Sequence, residues 1–134
     1  MLQNIFGSNA TYKDWITLAD EDLAALDILA PVKEAPQAVV CFHAQQAVEK
    51  LLKAFLVFHR QAPTEAHNVA ALIAEAGRID PALRLLAREC EPLSNYFAMY
   101  RSPDGSARPD CGEAREAVAA AHKMKAEISS RLET

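Results

Sequence analysis

Between Thr11 and Ala30 apolar side chains return every three or four positions, at Tyr12, Trp15, Ile16, Ala19, Leu23 and Leu26. That period is helical, and Lys13, Asp14, Asp20 and Asp22 fall on the opposite side of the same wheel. Ser8, Asn9 and Thr11 are candidate N-caps, and Pro31 ends the helix because it cannot continue the hydrogen-bond ladder. A second helix is predicted from Pro36, a favoured first-turn residue, to about His59. At 100° per residue Val40, Ala44, Ala47, Val48, Leu51, Leu52 and Phe55 share one broad arc. His43, Gln45, Gln46, Glu49, Lys50 and Lys53 occupy the other, interrupted by Phe42 and Leu56. Large apolar residues among polar ones point to a second packing surface on this helix.

Beyond the loop RQAPTEAH, Asn68 is placed to cap a short helix from Val69 to Ala76, closed by Gly77 as a left-handed cap. Asp80 followed by Pro81 predicts the start of another helix, in which Pro92 marks a kink or break before LSNYFAMY resumes it. The stretch RSPDGSARPDCG reads as the main loop. Asp110 and Glu113 have capping-box spacing, and Ala114, Ala117, Val118, Ala121, Met124, Ile128 and Leu132 form the apolar stripe of the last helix. No strand alternation appears. Four long helices plus one short helix, joined by short connections, predict an all-α fold: an antiparallel up-and-down helical bundle forming a single domain over residues 1–134.

Composition supports a globular reading, since 51% of the 134 residues are hydrophobic, 24% are charged and only 4 are glycine. A net charge of −4 supplies no general basic field, which argues against sequence-independent coating of DNA or RNA. Cys41, Cys90 and Cys111 are far apart, odd in number and without Cys-x-x-Cys spacing, so reduced thiols in small core positions are expected, with neither a disulfide framework nor a structural zinc. No metal site and no cofactor other than a nucleotide ligand is expected. The N-terminus lacks a basic start and an apolar signal core, and no apolar run reaches the roughly 18 residues of a membrane span. A cytoplasmic location without membrane association follows as the expectation.

AQQAVEKLLKAFL at 44–56, HNVAAL at 67–72 and YFAMYRSPD at 96–104, together with Trp15 and DLA at 22–24, resemble the HEPN family. These are helical-bundle domains of higher eukaryotes and prokaryotes associated with nucleotide binding. The most specific piece is the ungapped Gln-Gln-Ala-x-Glu-Lys-x-x-Lys-Ala core. The resemblance implies a five-helix bundle that forms a homodimer and pairs with a small nucleotidyltransferase, in some relatives as a toxin–antitoxin system. Some members are metal-independent ribonucleases marked by Arg, four to six residues, then His. Here Arg101 is followed at those distances by Ser106, Ala107 and Arg108, none of which can serve as a general base. Arg60 to His67 and Arg115 to His122 match formally but lie elsewhere, and about one such match arises by chance in a chain of this make-up. His67 then reads as a capping or loop-tethering residue and His122 as an exposed one. The nucleotide-binding branch, with Arg-Tyr-Pro at this loop, is the better likeness; Ser102 replaces the tyrosine, and Tyr96 or Tyr100 would have to supply its stacking.

No residue is assigned a catalytic role. The candidate nucleotide or phosphate site comprises Arg101, Lys50, Lys53, Gln46, Glu49, His43, Asp104, Tyr96 and Tyr100. Arg101 offers a planar donor fork to phosphate, or alternatively closes a salt bridge with Asp104 or Glu49. Lys50 and Lys53 would add positive charge and Gln46 a donor and an acceptor, against the plainer reading of a solvated helix face. Glu49 and Lys53 also suit an in-helix pair worth a few tenths of a kcal/mol. His43 reads as a partly buried or interface histidine. The preferred function is a non-catalytic HEPN-type subunit, homodimeric, that binds a nucleotide, a nucleotidyltransferase partner or both. The alternatives are a metal-independent ribonuclease toxin, drawing its histidine from His43 or His122, and a purely structural dimerisation module.

Overall fold

The fold is that of a computed structural model in which residues 10–63, 67–97 and 108–132 are described. Helix α1 spans Tyr12–Leu29 and α2 spans Gln37–Phe58. Of the three candidate caps, Thr11 is the one used. Its backbone N–H donates to Asp14 Oδ2 at 2.8 Å, and its side chain accepts from Asp14 N, which completes a capping box. Helix α3 spans Val69–Ile79, with the Asn68 side chain accepting from Ala71 N at 3.1 Å. The last helix, Cys111–Leu132, is α5; Asp110 and Glu113 bond reciprocally at its start, as their spacing predicts.

Between α3 and α5 the structure departs from the sequence-based expectation twice. Gly77 does not cap α3. The helix runs through it to Ile79, and the missing Cβ makes room for Arg84, whose Cγ would lie 2.7 Å from a Cβ built there. The expected long fourth helix is instead a 3-10 turn at Pro81–Leu86, a single α-turn at Ala87–Cys90, here α4, and a second 3-10 turn at Glu91–Asn95. Asp80 does cap this segment, accepting from Ala82 N at 3.0 Å. Pro92 lies in the first turn of the second 3-10 piece, where its missing N–H leaves no ladder bond unmade. Tyr96 and Phe97 are again helical, and the remainder of the predicted continuation and most of the main loop lie outside the described residues.

The architecture is an all-α up-and-down bundle, with no strand among the described residues. Helix α2 is its centre, packed on α1, on α3, on α5 and on the Glu91–Asn95 turn. Its predicted apolar arc is buried throughout, from Val40 to Phe55. Leu56, which breaks the polar arc in the sequence, is core as well and lines one small cavity with Ile79 of α3. Burying a leucine or phenylalanine of this kind contributes about 1.5–3 kcal/mol. Buried alanines at 114, 117, 120 and 121 let α5 approach closely, and Lys125–Asp20 and His122–Asp27 pairs, each 2.6 Å, join it to α1 at the surface. None of the helices among the described residues is long and apolar enough to cross a membrane.

Helix α2 ends in a Schellman arrangement: Gln61 N donates to Leu56 O at 2.8 Å and Arg60 N to Val57 O at 2.9 Å. Arg60 therefore has a φ of 60°, a left-handed conformation that strains any residue with a Cβ. Arg60→Gly is expected to raise the free energy of unfolding by about 1 kcal/mol in urea denaturation, by relieving that strain.

Candidate functional site

The polar arc of α2 is not a solvated face. Gln45, Glu49 and Lys53 are buried, and Gln46 and Lys50 are half-buried. A carboxylate under cover is costly unless its lone pairs are occupied, and those of Glu49 are. Lys53 Nζ donates to Oε2 at 3.0 Å, Gln45 Nε2 donates to Oε1 at 2.9 Å, and His67 Nδ1 lies 3.0 Å from both oxygens. The ammonium of Lys53 also sits 5.5 Å from the centre of the Trp15 ring on α1, a cation–π distance. Helix α1 and the approach to α3 thus cover this arc, and the pairing of each charge makes the burial tolerable.

A second cluster repeats the chemistry. Asp22 on α1 is buried, and its two carboxylate oxygens take Lys50 Nζ and His43 Nδ1, the latter at 2.9 Å. Each cluster therefore holds one carboxylate, one ammonium and one imidazole. A carboxylate only accepts, so Nδ1 of each imidazole carries a proton and donates to its carboxylate. A run of rings lies beside them: His67 stacks on Phe97 at 4.0 Å and 14°, Phe97 on Phe42 at 6.2 Å and 28°, and Phe42 meets His43 edge-on at 5.8 Å. Phe42 thus has the second packing partner that its place in the polar arc implies. Gln46 lies on α2 one turn from Phe42, His43, Glu49 and Lys50, and its Nε2 donates to Gln45 Oε1 at 2.8 Å.

Of the sequence-predicted residues, His43, Gln46, Glu49, Lys50 and Lys53 are brought together here. Tyr96 is not. It is core, hydrogen-bonded to the buried Cys41, and burial pushes its hydroxyl well above the ordinary tyrosine range. Tyr100, Arg101 and Asp104 lie outside the described residues. Burial also raises the thiols of Cys41 and Cys90, to about 11 and about 12, which suits inert core positions. Cys111 breaks the expectation for the three cysteines, because it starts α5 at the surface. His122 is exposed as expected.

Sequence reasoning left Asp22, Gln45, His67, Phe97 and Trp15 out of the site. Gln45 stands one helical turn before Glu49, a readable signal. His67 is 18 positions from Glu49 in sequence, and nothing local reveals that pairing. No group of three metal-ligating side chains occurs among the described residues. The arrangement offers a patch whose buried charges are matched, edged by the His67 ring, which is 44% exposed.

Glu49→Ala would strand the Lys53 ammonium under cover and is expected to cost about 3–5 kcal/mol in chemical denaturation. Glu49→Ala combined with Lys53→Met should cost clearly less than Glu49→Ala alone, because the second change removes the orphaned charge.

A search of the curated proteins found no match. Among solved structures, an archaeal HEPN homologue superposes with a TM-score of 0.69 over 92% of this chain and 99% of its own, at 18% sequence identity. That likeness concerns the fold. The family model of the HEPN domain matches residues 12–130, which takes in both carboxylate clusters and every helix described above except the last two residues of α5, and the chain belongs to the HEPN family.

Proposed function

We propose that the protein is a non-catalytic HEPN subunit that binds a nucleotide at the polar face of α2, and that it acts as a homodimer alongside a small nucleotidyltransferase. The observation that carries this reading is the satisfied Glu49 network. Its partners come from α2 and from the approach to α3, so the exposed His67 edge is held rigid before any ligand arrives. Such preorganisation suits binding, since little side-chain freedom is lost when a ligand docks. Arg101, four positions beyond Phe97 in sequence, is assigned the phosphate. The absence of a histidine separated from Arg101 by four to six residues favours binding over cleavage. Dimer and partner contacts have apolar surface to draw on: Ile28 is 70% exposed, Val32 is exposed as well, and Ala30, Val40, Ala114 and Val118 line a groove.

One observation favours a second reading. His67 is an exposed imidazole oriented by a buried carboxylate, an arrangement that can accept a proton in metal-independent RNA cleavage.

Thermal melting separates these readings. A nucleotide at a hundredfold excess over its Kd should stabilise the protein by about 2.7 kcal/mol. An unchanged melting temperature with every nucleotide would count against the binding reading and leave the structural dimerisation module and the ribonuclease. Cleavage of RNA in the presence of EDTA, lost in both His67→Ala and Arg101→Ala, would replace the binding reading with the ribonuclease.

A further inference from the structure

We infer that the protein holds a second small-molecule site, between the C-terminal end of α2 and α3, and that its ligand is a free α-amino acid with a small aliphatic side chain. The site shares no residue with the Glu49 and Asp22 clusters and does not depend on the nucleotide reading. It consists of a cavity on which an acid and a base stand one helical turn apart without pairing.

The walls of this cavity come from the same packing and capping that build the bundle. Leu56 in the last turn of α2, Gln61 and Ala62 just beyond it, and Glu75, Arg78 and Ile79 of α3 line a space of about 210 Å³. Positions 75, 78 and 79 are three and four apart on a helix, so they share one face. The bond from Gln61 N to Leu56 O closes α2, and the left-handed Arg60 turns the chain back, so that Gln61 and Ala62 border the same space as Leu56.

Glu75 and Arg78 have the spacing of an in-helix ion pair. They do not form one, and neither side chain has an ion pair or hydrogen bond among the described residues. Glu75 Oε2 is shut off from solvent with no hydrogen-bond partner. A shielded carboxylate oxygen without a donor is unfavourable, and such atoms are rare in folded proteins. The other carboxylates under cover, Asp22 and Glu49, each hold an ammonium and an imidazole. Glu75 differs from both in lining a cavity from which a partner can reach its carboxylate.

The lining fixes the chemistry of that partner. Phosphate or another bare anion suits Arg78 and is repelled by Glu75, and a bare cation does the reverse. A ligand with both charges answers both residues: its ammonium donates to the Glu75 carboxylate, and its carboxylate takes the planar fork of Arg78. An ammonium and a carboxylate on one carbon match an acid and a base on one turn of helix. The Gln61 side chain can donate to one group or accept from the other. Leu56, Ala62 and Ile79 offer hydrocarbon alone to the rest of the ligand, which favours an aliphatic side chain over a charged one. Ordinary small-molecule sites begin at roughly 300 Å³. This cavity is smaller, which admits an amino acid and leaves out a whole nucleotide.

Isothermal titration of the intact protein with L-valine tests the inference, beside L-valinamide, which lacks the carboxylate, isovalerate, which lacks the ammonium, and glycine, which lacks the side chain. L-valine is expected to bind, with both charge-deleted analogues weaker by about tenfold or more because one charged group is left unpaired. Glycine should also bind more weakly, having nothing to set against the apolar wall. In Glu75→Gln and in Arg78→Gln, each checked for folding by its melting curve, the affinity for L-valine should fall about tenfold or more. Arg78 is exposed, so its variant decides if Glu75→Gln does not fold. No saturable heat with L-valine at millimolar concentration overturns the inference. So does any of the three analogues binding as tightly as L-valine, or an Arg78→Gln affinity equal to that of the wild type. None of these results bears on nucleotide binding, which titration with AMP measures separately.

Discussion

A carboxylate and an ammonium from one turn of α2, Glu49 and Lys53, are buried against each other at 3.0 Å, and much of this molecule's polar architecture follows from the need to satisfy them. A charge without cover would need no partners, and a buried one needs them all. Glu49 therefore gathers Gln45 and His67, and Lys53 gathers the Trp15 ring. Those demands tie α2 to α1 on one side and to the approach of α3 on the other. The apolar core would hold α2 in the bundle without them. It would not set the angle at which the His67 ring lies on Phe97, nor which way the Gln46 amide points.

The contrast between the two clusters is instructive. Asp22 crosses from α1 to reach Lys50 and His43 on α2, so it joins two elements. Glu49 instead takes two of its partners from its own helix and one from across a connection. The second arrangement fixes a surface group with few moving parts, which is what a binding site requires.

The bundle was legible in the sequence wherever periodicity governs burial. The arcs of α1, α2 and α5, the Asp110–Glu113 box and the Asn68 cap are local patterns, and local physics decides them. Gly77 misled because a glycine after an apolar run is read as a helix end, whereas here it is a gap filled by Arg84, a tertiary matter. The segment after Pro81 has helical composition, yet its backbone settles into 3-10 turns around a single α-turn. The site was half legible. Five of its polar residues stand on one helix face and were gathered by spacing alone. Their burial was not, because whether a polar arc is wet depends on what covers it, and His67 and Asp22 arrive from distant positions. Tyr96 looked available as a ring near Arg101 and proved to be core, since a single aromatic carries no sign of which way it faces.

Whether the polar face of α2 receives a nucleotide is tested most directly by side-chain NMR at the atoms concerned. During titration with AMP, the ring resonances of His67 and the side-chain amide of Gln46 should shift together and saturate at one Kd, while the ring of His122, paired with Asp27 at the α1–α5 surface, stays in place. Stationary His67 and Gln46 signals throughout the titration, whether or not resonances elsewhere move, would contradict it.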